Sequence, residues 1–485
     1  MFSICQNRPV HSLLLLCLVV CLGWHCGPPS DAVVARFGKQ KILLGEFKIG
    51  YLDLLKKPHV LDSAELRENF LNEMINQRLI AAAARARGLQ NDDKFRYRVD
   101  AYRDKCLRDA HYQEIIQPQI RVDEEKLREV YSYITQQRHL RHFFFKTEEE
   151  ADQYYQRLLD GESWDALAAE VIADSLLACN GGDLGWVYWD QLEYEMGLAA
   201  FRLKVDAISA PVPSSFGFHI VKVVDYRIDP LVSETEFDQR RRKVKFMLEK
   251  KIGDKLAADY ITAMMTAKHL QVRTDILRIL SQKFMSLFSR NPSPYDQMLE
   301  AQLTPAETRA LENKFWDYRN ATLVIIDGKP LTVGEFIYQL NYVPFAAVRQ
   351  GFKTALDFVI RDRVLTDEAR QMKLERKYPA VRQKAVIYED YLLQTELRRD
   401  LVRSIEISEA AIGDRFERDR NSLYKQLELG EVRDTIYEIL VQEARQRVVS
   451  DLIAELRSQQ SIRTDYRPIH TYYDNLKNAS TENEN

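Results

Sequence analysis

The sequence predicts a mainly helical α+β protein, built from duplicated helical modules with one small α+β domain inserted on an antiparallel sheet. Three observations carry this expectation. A strand–turn–strand–helix pattern occurs twice. Long helices with one apolar face follow each copy. Only the first copy is interrupted by a stretch that alternates between strands, glycine turns and short helices. At 485 residues the chain exceeds one ordinary core, so two or three domains are expected.

The first copy opens with Ala32-Val33-Val34-Ala35-Arg36-Phe37-Gly38-Lys39 and leads into Gly45-Glu46-Phe47. The second opens with Leu323-Val324-Ile325-Ile326-Asp327-Gly328-Lys329 and leads into Gly334-Glu335-Phe336. Its Asp-Gly pair is a hairpin signal. In the helices that follow, Leu71, Ile75, Arg78, Ala84, Arg85 and Leu89 fall in register with Leu356, Ile360, Arg363, Ala369, Arg370 and Leu374. The apolar members recur at helical spacing, so each helix buries one face. Asp123 and Ser408 stand at matching positions as N-caps of the next helices. The copies then part. The second runs almost directly to a closing helix near 431–459, whereas the first reaches its own, near 236–270, only after the insert.

The expected organisation is a leader over 1–26, a helical module over 27–137, and the inserted domain over 138–228. A closing helix over 229–288, a linker over 289–320, a second helical module over 321–476 and a polar, disordered tail over 477–485 follow. In the leader, Arg8 precedes an apolar run from Leu13 to Leu22, too short for an ordinary transmembrane helix, so export is expected. Cys26 after Leu22-Gly23-Trp24-His25 resembles a bacterial lipidation site, although His25 stands where a small residue is usual. Cys21 after Leu18-Val19-Val20 is the second candidate. Either would anchor the protein to a membrane on the periplasmic side of a cell envelope.

Hydrophobic residues make up 46% of the chain and charged residues 29%, which excludes bulk disorder. A formal net charge of -3 gives no field for nucleic acid. The basic run Arg240-Arg241-Arg242-Lys243 lies among Glu236, Asp238 and Glu249 and reads as a solvated helix face. Hydrolase chemistry is disfavoured: the sequence has no nucleophile elbow and no pair of metal ligands on one helix.

The insert opens with Leu140-Arg141-His142-Phe143-Phe144-Phe145-Lys146, a strand by composition. Glu148 to Leu159 is an amphipathic helix, and Gly161-Glu162-Ser163-Trp164 starts another with Trp164 and Leu167 facing inward. Asn180-Gly181-Gly182-Asp183-Leu184-Gly185-Trp186 turns into a strand, and Ala210 to Val223 forms two strands joined tightly. These glycines lack the Lys-Ser/Thr of a phosphate loop, so they set backbone conformation.

The segments around His142, Gly181 to Trp186 and Phe216 to Val223 resemble the parvulin (PpiC) peptidyl-prolyl isomerases in order and spacing. The flanking helices resemble those of the SurA/PrsA-like chaperone-foldases. The resemblance implies cis–trans isomerisation of X-Pro bonds in unfolded or nascent exported proteins, without metal or cofactor. It implies catalytic roles for His142, His219, Ser214 and Asp174, with Ser175 competing for the position of Asp174. It assigns Leu184, Leu192, Met196 and Phe201 to the apolar slot for the proline ring. Two other readings stay open: a non-catalytic peptide-binding chaperone with an inactive parvulin fold, and an envelope assembly factor. The sequence does not fix the clients or the oligomeric state.

Overall fold

A computed structural model describes residues 31–172, 181–214, 217–228, 234–288, 302–403 and 405–482. It is mainly helical, with three small antiparallel sheets. The first module starts with the hairpin β1 (Val33–Phe37) and β2 (Gln40–Leu43). Four helices follow: α1 (Leu44–Leu55), α2 (Ala64–Ala86), α3 (Asp93–Ile115) and α4 (Glu124–Ile134). Their starts are written locally. Ser63, Asp92 and Asp123 each accept a hydrogen bond from a first-turn N–H, which satisfies donors the helix cannot.

The inserted domain comprises β3 (Gln136–Phe145), α5 (Glu148–Leu159), α6 (Trp164–Val171), β4 (Asp183–Tyr188), α7 (Tyr194–Arg202), β5 (Val212–Pro213) and β6 (Phe218–Ile228). Its sheet has the order β4-β3-β6-β5. On one face Phe143, Phe145 and Ile220 meet Trp164 and Leu167, as the helical spacing requires. On the other, Leu140, Val221 and Val223 meet Trp189, Leu192 and Met196.

Then come the long helix α8 (Glu234–Thr266), β7 (Leu270–Val272) and α9 (Thr274–Phe284). The second module repeats the first: β8 (Thr322–Ile326), β9 (Lys329–Thr332), α10 (Val333–Gln339), α11 (Phe352–Gln371), α12 (Pro379–Arg403), α13 (Glu409–Asp419) and α14 (Leu429–Ser458). Asp327 and Gly328 both have positive φ, 47° and 81°, as a tight hairpin turn needs. Ser408 caps α13 through the amide of Ala411. The chain ends in β10 (Ile462–Thr464) and α15 (Arg467–Glu482). Backbone helix thus extends through 477–482, where polarity alone suggested a disordered tail.

The modules are not strung in series. Each donates its closing strand to the other. β10 pairs with β1, Phe37 opposite Ile462, and β7 pairs with β8, Val324 opposite Val272. The helices after these strands cross as well. Leu280 and Phe284 of α9 join the core of the second module, and Ile469 and Tyr473 of α15 join that of the first. Between the modules α2 packs on α12 and α11 on α3. Arg78 of α2 bridges Glu46 of its own module and Asp390 of α12. Arg85 reaches Glu389 and Asp390, and its counterpart Arg370 reaches Asp104 of α3. Among the described residues no helix is long and apolar enough to cross a membrane. Cys21, Cys26 and the rest of the leader lie outside them, as does 289–301 of the expected linker.

Candidate active site

β3 and β6 lie side by side, and Phe144 stands opposite His219. This register brings His142 and His219 onto the same face of the sheet. Their rings stack with centroids 5.4 Å apart and planes 17° apart. His142 Nδ1 lies 3.2 Å from His219 Nδ1, and His219 Nε2 lies 2.9 Å from Ser214 Oγ. The Ser214 hydroxyl donates to the carbonyl of Gly217, at 3.1 Å. Having one hydrogen, it accepts from His219 Nε2–H. In that arrangement His219 Nδ1 is the acceptor and His142 Nδ1–H donates to it, one pair of tautomers that satisfies all three contacts. Burial holds both imidazoles below their ordinary range. His142, with His219 as its second influence, is lowered to about 4. At neutral pH the pair is uncharged.

The glycine turn shapes the rim. Gly182 has φ +71°, and a Cβ there would lie 2.2 Å from the carbonyl oxygen of His142. The Gly182 carbonyl in turn accepts from the amide of His142 at 2.9 Å. Leu140 pairs with Gly185 and Arg141 with Asp183, so Leu184 is the extra residue of a bulge, with Gly185 at φ +68°. The bulge turns Leu184 outward, and 38% of it stays exposed. Leu192, Met196 and Phe201 are only 8%, 6% and 3% exposed. They belong to a core shared with α4 and α8. Phe201 faces inward: its ring lies 5.6 Å from Tyr133 of α4, and the Arg138 guanidinium sits 5.5 Å from it. Like Leu192 and Met196, it lies on the side that the helical module covers. Asp174 and Ser175 lie outside the described residues.

Two neighbours escaped the sequence reading. Phe144 is 40% exposed, with its ring 5.3 Å from that of His219. Strand alternation from the buried Phe143 and Phe145 would have placed it on the histidine face. His139 Nε2 lies 2.8 Å from Asp183 Oδ1, which also accepts from the Gly185 amide. This fixes the bulge, and no spacing in the sequence announced it.

A four-stranded antiparallel sheet, helices on both faces and a half-buried imidazole pair on one of them make this a domain of the parvulin class. Residues 145–225 match the family described as Rotamase, PPIC-type PPIase domain, beginning just after His142. The foldase protein PrsA of Clostridium kluyveri is 48% identical over 88 residues, 18% of this chain and 26% of that protein. PrsA of Geobacillus kaustophilus is 33% identical over 144 residues, 29% and 51% of the two chains. The solved PrsA of Bacillus anthracis is 22% identical, with 40% of this chain and 96% of that one aligned at a TM-score of 0.23. The chain therefore spans about a quarter to a half of the length of these two curated relatives. Residues 145–225 thus carry a PPIC-type PPIase domain, and the chain is similar over that region to the PrsA foldases.

Proposed function

We propose that the chain is a peptidyl-prolyl cis–trans isomerase and chaperone for exported proteins, with the helical modules holding unfolded segments beside the inserted domain. The observation that carries this is the hydrogen-bonded line from His142 through His219 to Ser214, beside the outward-turned Leu184. Rotation about the peptide C–N bond must overcome about 18–20 kcal/mol of lost resonance. For X-Pro both isomers are populated, and exchange is slow enough to limit folding. No bond breaks, so the site needs no cofactor. It has to hold the ring and favour the twisted amide, and each ~1.4 kcal/mol of that preference gives tenfold in rate. Neutral imidazoles can follow the change at the amide without reorganising. Export through the leader, lipid anchoring at Cys26 or Cys21 and a place on the periplasmic side of the envelope belong to the same reading. So does a catalytic role for Asp174.

The near-complete burial of Leu192 and Met196 favours a second reading, a parvulin fold kept for peptide docking alone. One assay separates the two. Exchange of a proline-containing tetrapeptide is measured with the full chain and with His142→Ala and Asp174→Ala. The isomerase reading expects turnover that falls at least tenfold in His142→Ala. Peptide binding without turnover by the wild-type chain would support docking.

A further inference from the structure

The wall of the proline slot is not built by the inserted domain alone. Residues 189–202 leave β4 and lie against two helices of the first module. Lys251 of α8 donates through Nζ to the backbone carbonyl of Leu192 and sits 5.1 Å from the centre of the Trp189 ring. Trp189 is fully buried, and behind it Gly197 leaves no room: a Cβ there would lie 2.9 Å from Trp189 Nε1. Further ties run in the same direction. Lys255 of α8 lies 3.8 Å from Glu195, Lys126 of α4 sits 5.7 Å from the Tyr194 ring, and Arg202 Nε donates to Glu129 of α4 at 2.8 Å. Val244 and Leu248 of α8 share one core with Leu192 and Met196. Lysine is well suited to the central tie, since its ammonium both faces the indole and caps a carbonyl.

We propose that Lys251 is a positioning residue for proline binding: from the helical module it fixes the segment 189–197 against which the ring is held. This rests on the isomerase reading. It also means that α8, which joins the insert to the closing strand of the module, sets the affinity of the slot. Lys251→Met keeps the length of the side chain and removes both the donor and the cation over the Trp189 ring, while Lys251→Arg restores both. In the full-length protein, Lys251→Met raises KM for a proline tetrapeptide about five- to tenfold and changes kcat less than twofold. Amide exchange across 189–197 speeds up at least tenfold, and Lys251→Arg returns both values toward wild type. Wild-type turnover combined with an unchanged KM, or unchanged exchange, in Lys251→Met overturns the positioning role alone. A wild-type chain that does not isomerise the peptide overturns both readings.

Discussion

At the scale of single residues, the candidate site holds two histidines that burial keeps neutral. Burial places the folded-state protonation of His142 at about 4, against about 6.5 in an unfolded chain. Between these values the unfolded state binds more protons, so stability rises with pH through that window and is flat above it. A shift of this size corresponds to roughly 3 kcal/mol at most. Urea denaturation of wild type and His142→Gln from pH 4 to 7 measures it. The wild type should lose more stability on acidification, and equal slopes would show that His142 is not buried as described. Ser214 gives a second test. As acceptor for His219 Nε2–H it selects that tautomer, and one neutral hydrogen bond is worth about 0.5–1.5 kcal/mol. Ser214→Ala should therefore slow isomerisation roughly tenfold or less, whereas Ser214→Thr, which keeps the hydroxyl, should stay close to wild type.

At the scale of elements, the glycine turn and the bulge place Leu184 and hold the backbone of His142. Gly182→Ala would force a Cβ against the His142 carbonyl from a left-handed backbone, a strain of about 1–3 kcal/mol before the clash is relieved. Thermal melts should show a loss of that order, and the His142–His219 contact, followed by imidazole NMR, should loosen with it. A variant melting with wild type would mean the turn has another conformation. Much of this was legible in the sequence. The strands around His142 and His219 were written in composition and order, and Asp123 and Ser408 cap the helices they were expected to cap. The inward turn of Phe201 was not, because it depends on Tyr133 and Arg138, and adjacency across elements leaves no trace in spacing. The same holds for the His139–Asp183 contact.

At the scale of the whole molecule, the exchange of closing strands makes each module incomplete without the other half of the chain. Internal similarity revealed two copies but not their crossing, because a strand of three residues pairs equally well with either hairpin by pattern alone. What decides is where the following helix finds its core. Ile469 and Tyr473 of α15 are 0% and 5% exposed, and they pack beside Val34, Phe47 and Tyr51. Arg67 of α2 bonds to Asp474, and Arg457 of α14 bonds to Asn72. Deleting residues 460–485 should therefore damage the start of the chain. Burial of two large side chains alone contributes about 3–6 kcal/mol, and the three-residue ladder on β1 goes with them. Hydrogen exchange should accelerate across 33–55, more than four hundred residues before the cut, while 322–340 keeps its protection through β7 and α9. If the second module loosened first instead, each copy would be closing on its own strand, and the crossed arrangement would be wrong. The same crossing determines what the inserted domain feels. α8 is its anchor, and the strand that follows α8 is clamped on the second module.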